Sequence, residues 1–315
     1  MNKKIKILVG VLLIVLVSGC TQYLKNPETK KTVTYEKTGQ VVTSNILCKP
    51  KDPELLKLYE KNKANLEIPI EKLPECSKFK PSDIKYKGIW ESIFVKPLAW
   101  TIVTIGNFVK NYGISVILVG LFIRIILMPI SKKSALQTKK MTEINPEMQK
   151  IEKKYKDKTD KESMMAKSQE TMMLYKKHGV NPMSGCLIAI LQLPLFFAFL
   201  EAINRVPAIF EEKLLTFQLG TTPMVGISKG NYLYILLVAL IIASTYFSMR
   251  DALKGNQAMQ SDQAKQSKYM MIFMIGFISV ASLNLPTAIA LYWIVTNTFA
   301  AIQNMIVKRN DNKWN

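Results

Sequence analysis

Five runs along the chain are apolar for long enough to cross a bilayer: 111–130, 182–203, 232–249, 269–285 and 287–307. A helix crosses the hydrocarbon with about 20 residues, so each run predicts one transmembrane helix. The stretch 88–110 differs from them. It mixes apolar and polar residues and carries Trp90 and Trp100, which suit the headgroup level. It predicts an amphipathic helix lying in the outer interface. Between the first two spans, 131–180 has no spanning run, but its punctuation is helical. Asn145-Pro146-Glu147 reads as an N-cap followed by proline at the first helical position. Thr159-Asp160-Lys161-Glu162 reads as a capping box, and His178-Gly179 as a helix end. The expectation is a helical hairpin that turns at Lys153–Lys158. Leu283-Asn284-Leu285-Pro286 predicts a tight turn joining the last two spans.

The N-terminal residues follow a different logic. Lys3, Lys4 and Lys6 precede an apolar run from Ile7 to Val17, then Ser18-Gly19-Cys20. A basic start, a short apolar core and small residues make a secretory signal over 1–19. The cysteine after Val17-Ser18-Gly19 resembles a bacterial lipobox, so cleavage before Cys20 and lipidation of its thiol are expected. An uncleaved anchor helix is the other reading. Either way, 20–87 lies outside the cytoplasm. This segment is polar and Lys-rich, with prolines at 27, 50, 53, 69, 74 and 81, and shows little periodicity outside Glu54–Lys63. It predicts a weakly structured external segment. Cys48 and Cys76 fall within it, where a disulfide is chemically allowed and two free thiols fit as well.

Charge orients the spans. The 131–180 segment carries 13 Lys against 7 acids, and positive loops stay in the cytoplasm. Arg250, Lys254, Lys265 and Lys268 follow the third span, and Lys308, Arg309 and Lys313 occupy the basic tail 308–315. The outer loop 204–230 has Arg205, Lys213 and Lys229 alone. The mature N-terminus is therefore external and the C-terminus cytoplasmic. The whole-chain charge of +20 suits basic loops and contact with anionic headgroups or ribosomal RNA. No zinc-finger spacing, phosphate loop or RNP-type motif points to DNA.

Polar residues inside the spans carry the candidate chemistry. Arg124 sits in an otherwise apolar helix, six residues before Ile130 and so about 9 Å from that end. An arginine at a membrane helix centre costs about 2.5–3.5 kcal/mol on insertion scales and keeps its proton. Gln192 lies at a similar depth on the second span. On the last span Trp293, Thr296, Asn297, Ala300 and Asn304 share one face. No Asp or Glu sits at this depth; Glu201 lies near the outer end of its helix. Snorkelling explains Arg124 alone, and interhelical hydrogen bonding explains Gln192 or Asn304 alone. Matched depth on three helices points instead to a wet cavity open to the cytoplasm. A channel or solute transporter is the alternative, but the midplane acids of coupled transporters are missing. With a single histidine, His178, in a basic non-spanning segment, the sequence supports neither catalysis nor a metal site, and calls for no cofactor.

From Gly88 onward the chain resembles the YidC/Oxa-type membrane protein insertases, in their Gram-positive lipoprotein form. The stretches that carry this are Trp90 with Val95-Lys96-Pro97-Leu98, Ile123-Arg124-Ile125-Ile126-Leu127-Met128-Pro129 and Asn145-Pro146-Glu147. Leu174-Tyr175-Lys176-Lys177-His178-Gly179-Val180-Asn181-Pro182, Gly185-Cys186-Leu187 with Gln192-Leu193-Pro194, and Leu291-Tyr292-Trp293-Ile294-Val295-Thr296-Asn297 complete them. The resemblance implies an all-α polytopic membrane protein with five transmembrane helices around a cytoplasm-facing hydrophilic groove. Arg124 would be the groove arginine, with Gln192 and Trp293 lining it beside Asn297. It also implies a mobile cytoplasmic hairpin that receives substrates. Its implied partners are nascent membrane proteins, the bilayer, translating ribosomes and the Sec translocon.

Overall fold

The computed structural model describes residues 21–84, 88–181, 184–257 and 262–311. The expected signal 1–19, the lipidation site Cys20 and residues 312–315 of the tail lie outside them. The described chain is mostly helical and forms two compact units. One holds the described residues through Phe122, with Leu191–Val238 and Ser282–Trp293. The other holds Ile123–Ile190, Ala239–Ala281 and the described residues from Ile294.

In the first unit, the segment read as weakly structured is folded. Its regular structure is slight: β1 (Thr34–Tyr35) pairs antiparallel with β2 (Gln40–Val41), and α1 (Pro53–Lys61) follows. Asp52 caps α1 by accepting from the N–H groups of Glu54 and Leu55, and Pro53 occupies the first turn, where no N–H is needed. Leu55 and Tyr59, one turn apart, form the buried face of α1. Leu24, Leu47, Ile70 and Phe79 are buried with them, and a disulfide joins Cys48 to Cys76. The segment has a core without a periodic pattern because its contacts come from loops rather than from one face of an element.

Much of that core is completed by residues far along the chain. The Leu47 N–H donates to the Arg205 carbonyl at 2.8 Å, and the Thr43 hydroxyl to the Asn204 carbonyl at 3.0 Å. The Glu211 carboxylate accepts the N–H groups of Lys51 and Asp52 at 2.8 and 3.0 Å. Burial pushes the Glu211 carboxyl above its ordinary value, and those two N–H groups pull it back. Asp52 goes the other way. Its hydrogen bond from the Lys37 ammonium, at 2.8 Å, holds its carboxyl at about 2. The loop 204–230 is folded as well, into α8 (Pro207–Glu211), the hairpin β3–β4 (Lys213–Leu214, Phe217–Gln218) and α9 (Pro223–Ser228).

A π-helical turn at Glu91–Val95 leads into α2 (Lys96–Val109), with Pro97 at its start. The chain reverses at Lys110, in the left-handed region, and enters α3 (Tyr112–Ile126). A Cβ added to Gly106 would lie 2.1 Å from the Tyr112 ring, so glycine permits the two helices to meet there.

In the second unit, the first span is broken short of its expected end. The sequence reading carries it straight to Ile130, but α3 stops at Ile126, and α4 (Met128–Glu143) leaves at 63°. Pro129 is the reason. It has no N–H to give the Ile125 carbonyl, and its ring crowds that turn. Next come α5 (Asn145–Lys154) and α6 (Lys161–Lys177), the hairpin helices. Asp160 caps α6 by accepting from Ser163 N–H, and Gly179 ends it with φ +59°. Ile144, Met148, Leu174 and Val180 form the hairpin's small core.

The remaining helices are α7 (Ser184–Asn204), α10 (Leu233–Gln257), α11 (Asp262–Ser282) and α12 (Thr287–Asp311). Among the described residues, three helical segments are long and apolar enough to cross a membrane: Glu91–Val109, Leu233–Arg250 and Thr287–Val307. The bent pair α3–α4 makes a fourth. The stretch expected to lie in the interface is thus itself long enough to span, while α7 contributes a shorter apolar segment, Gln192–Asn204.

Candidate functional site

The predicted groove residues fall into both units. In the first, Gln192 and Trp293 come together where α7 meets the start of α12. The Gln192 amide donates to the Tyr292 hydroxyl at 3.4 Å, a long hydrogen bond. The Trp293 ring packs edge-on against Phe196 at 4.8 Å, and Phe199 stacks on Tyr292 at 4.0 Å. Gln192 and Trp293 are each half-buried. They form an aromatic wall with one amide in it.

In the second unit, Asn297 and Asn304 stand two turns apart on one face of α12. Their amides donate to the Thr245 hydroxyl at 3.0 Å and the Ser248 carbonyl at 3.3 Å, both on α10. These are interhelical bridges, which fix α12 against α10. Gln303 points elsewhere, exchanging hydrogen bonds with Ser131 at 2.7 and 3.0 Å. That bond ties α12 to α4 just beyond the Pro129 bend.

Arg124 lies near the end of α3, half-buried, with Ile125 and Ile126 beside it more than half exposed. An apolar helix end with one guanidinium can offer charge to an acidic group while its flanking face stays in lipid. Among the described residues, no group of three or more His, Cys, Asp or Glu side chains is placed to hold a metal ion.

The hairpin presents different chemistry. Met164, Met165, Met172 and Met173 on α6 are all exposed, between 53% and 62%. Unbranched thioethers adapt to differently shaped apolar partners. Ion pairs flank them: Lys177 reaches Glu147 at 3.1 Å and Lys154 meets Glu170, and His178 Nε2 lies 2.9 Å from Glu147. The Tyr155 hydroxyl also donates to Glu170, at 2.9 Å.

A buried charge cluster in the first unit is absent from the sequence reading. The Arg205 guanidinium bonds Glu201 and Glu91, each at 3.1 Å, and its Nε donates to the Asn45 carbonyl at 2.6 Å. Trp90 Nε1 donates to Glu201 at 2.9 Å, while the Lys96 ammonium lies 3.5 Å from Glu91 and donates to the Ile84 carbonyl at 2.9 Å. The side chains of Arg205 and Lys96 are each 3% exposed. The one signal of this cluster in the sequence is the i,i+4 spacing of Glu201 and Arg205. Its other members are more than 100 residues away.

Comparison with known proteins adds the family signal. The family model described as 60Kd inner membrane protein matches residues 104–313. The membrane protein insertase YidC of Oceanobacillus iheyensis is 36% identical over 225 residues, covering 70% of this chain and 84% of that protein. The membrane protein insertase MisCA of Bacillus subtilis is 36% identical over 245 residues, covering 77% and 88%. Membrane protein insertase YidC 1 of Listeria monocytogenes serotype 4b is 33% identical over 221 residues, covering 70% and 72%.

Proposed function

The chain belongs to the YidC family of membrane protein insertases, and from that membership we propose that it works through a hydrophilic groove open to the cytoplasm and lined by Arg124, Gln192, Trp293 and Asn297. Its substrates are nascent membrane proteins, and its solvent is the lipid bilayer. In this reading five helices span: 111–126, as far as the bend, 182–203, 232–249, 269–285 and 287–307. The 88–110 helix lies at the outer interface, and the hairpin reaches into the cytoplasm. The mature N-terminus is external and anchored through Cys20. The groove holds the polar external part of a substrate, often acidic, while its apolar span passes out along the lipid-facing side. Ribosomes and the Sec translocon deliver that substrate, and the exposed methionines of α6 give the hairpin a surface for varied apolar segments. No bond is made or broken; the protein lowers a transfer barrier.

The observation that carries this mechanism is Arg124, a half-buried guanidinium in an apolar helix. A fixed cation in a low-dielectric setting attracts an acidic segment far more strongly than it would in water. In vesicles holding the purified protein, Arg124→Ala should slow insertion of a single-span substrate with an acidic external tail by about tenfold, the loss of one charge-assisted contact. Arg124→Lys should restore most of the rate, and a substrate with a neutral tail should be little affected. Equal rates for wild type and Arg124→Ala on the acidic substrate would overturn the proposed role of this residue.

A further inference from the structure

A crevice of about 380 Å³ lies between α10 and α12 in the second unit. Leu240, Ala243 and Phe247 line it from α10, and Ile294, Ala301 and Met305 from α12. Its lining is mostly apolar, with hydroxyls from Ser244 and Thr298 and a cation, Arg250, last in the row along α10. The Arg250 guanidinium lies 6.0 Å from the Phe247 ring. From Leu240 to Arg250 is ten residues of helix, about 15 Å. An apolar cavity of about 150 Å³ holds one benzene, so 380 Å³ holds an alkyl segment on the order of fifteen carbons.

Length, volume and a cation at one end together fit a chain with an anionic head. We propose that the crevice binds one anionic phospholipid, with an acyl chain lying between α10 and α12 and the phosphate on Arg250. In the sequence Lys254 follows Arg250, and Lys308 and Arg309 fall in the last turn of α12, against Asp251 and Asp311, so these two helix ends are net cationic. The site rests on reading α10 and α12 as membrane spans; it does not depend on how Arg124 handles substrates. It gives the face between these helices a resident lipid, which an arriving apolar segment must displace or pass.

The test is photolabelling of the full chain in phosphatidylcholine vesicles. They carry a small fraction of phosphatidylglycerol with a diazirine at mid-chain. Label should concentrate on 240–250 and 294–305. Ala243→Phe, which fills the crevice and leaves every charge, should cut that label about tenfold. Arg250→Gln should do the same for phosphatidylglycerol, by loss of the charge-assisted contact, and should leave the weaker label from a matched phosphatidylcholine probe unchanged. Melting temperatures of both variants separate loss of lipid from loss of fold. Should Ala243→Phe fail to fold, Arg250→Gln decides alone. Label spread evenly onto other exposed apolar faces, such as Phe273 and Phe277, would overturn the proposal. So would equal labelling by the two lipids, which would make the crevice a bed for any apolar chain. Loss of insertion in Arg124→Ala with the crevice label intact would bear on the groove alone.

Discussion

The segment 21–84 and the hairpin of α5 and α6 are both rich in lysine and poor in long apolar runs, yet they are held in opposite ways. The first is bound by covalent and buried links: the Cys48–Cys76 disulfide and the Arg205 cluster with its 3%-exposed charges. The second rests on four buried side chains and ion pairs in water. Composition does not decide between the two. What differs is where the partners come from. The hairpin folds on itself, within about forty residues, whereas the segment 21–84 is completed by side chains some 160 residues away. A region that completes its core with distant residues moves only when they move. One that folds on itself can move as a piece.

The sharpest way to break this contrast is Arg205→Ala. It leaves Glu91 and Glu201 buried with one fewer cation, and removing one partner of a buried pair costs about 3–5 kcal/mol. The external segment should become sensitive to protease while the hairpin's exchange protection stays the same. A cost below about 1 kcal/mol would mean water already reaches the cluster. Next is Cys48→Ser with Cys76→Ser. Freeing a loop with a sequence separation of 28 should cost about 3.5 kcal/mol by chain entropy, read as a lower melting temperature in detergent. Leu174→Ala empties part of the small hairpin core, and should cost about 2–3 kcal/mol locally, read by hydrogen exchange in α5 and α6 alone.

Acid sharpens the same contrast with a smaller effect. Glu211 has a raised carboxyl, so the folded state binds its proton more tightly, and stability rises as pH falls through that raised value. Asp52 has a lowered one. Its contribution is complete above the unfolded value of 3.8 and is lost as pH falls through about 2. The segment 21–84 should therefore be at least as stable at mildly acidic pH as at neutral pH, and should lose stability as pH falls from 3.8 toward about 2. A melting temperature that falls steadily from neutral pH would contradict this. The smallest effect belongs to Lys177→Ala, whose exposed pair with Glu147 should leave thermal stability unchanged within error.

The helices were the legible part of the fold. The Gly179 stop and the turn between α5 and α6 follow from local spacing, because each is settled within one turn of backbone, whereas the α6 cap falls on Asp160, one residue past the expected Thr159, and Asn145 lies inside α5 instead of capping it. The bend at Leu127 was also written in the chain as Pro129, but a hydropathy run gives length and not direction. The fold of 21–84 was not legible, since two-residue strands and single bridges leave no period to read. Of the candidate site, Gln192 bonds Tyr292 and Trp293 packs on Phe196, both where α7 and α12 touch. Asn297 is taken up in an interhelical bridge, a role its spacing could not tell from groove lining.

The bend at Leu127 also sets a height. The sixteen residues of α4 make about 24 Å of helix. At 63° to α3, only about 11 Å of that advances along the axis of α3; the rest runs sideways. A straight continuation would have kept all of α4 in line with α3. The single missing N–H of Pro129 turns the greater part of its length aside.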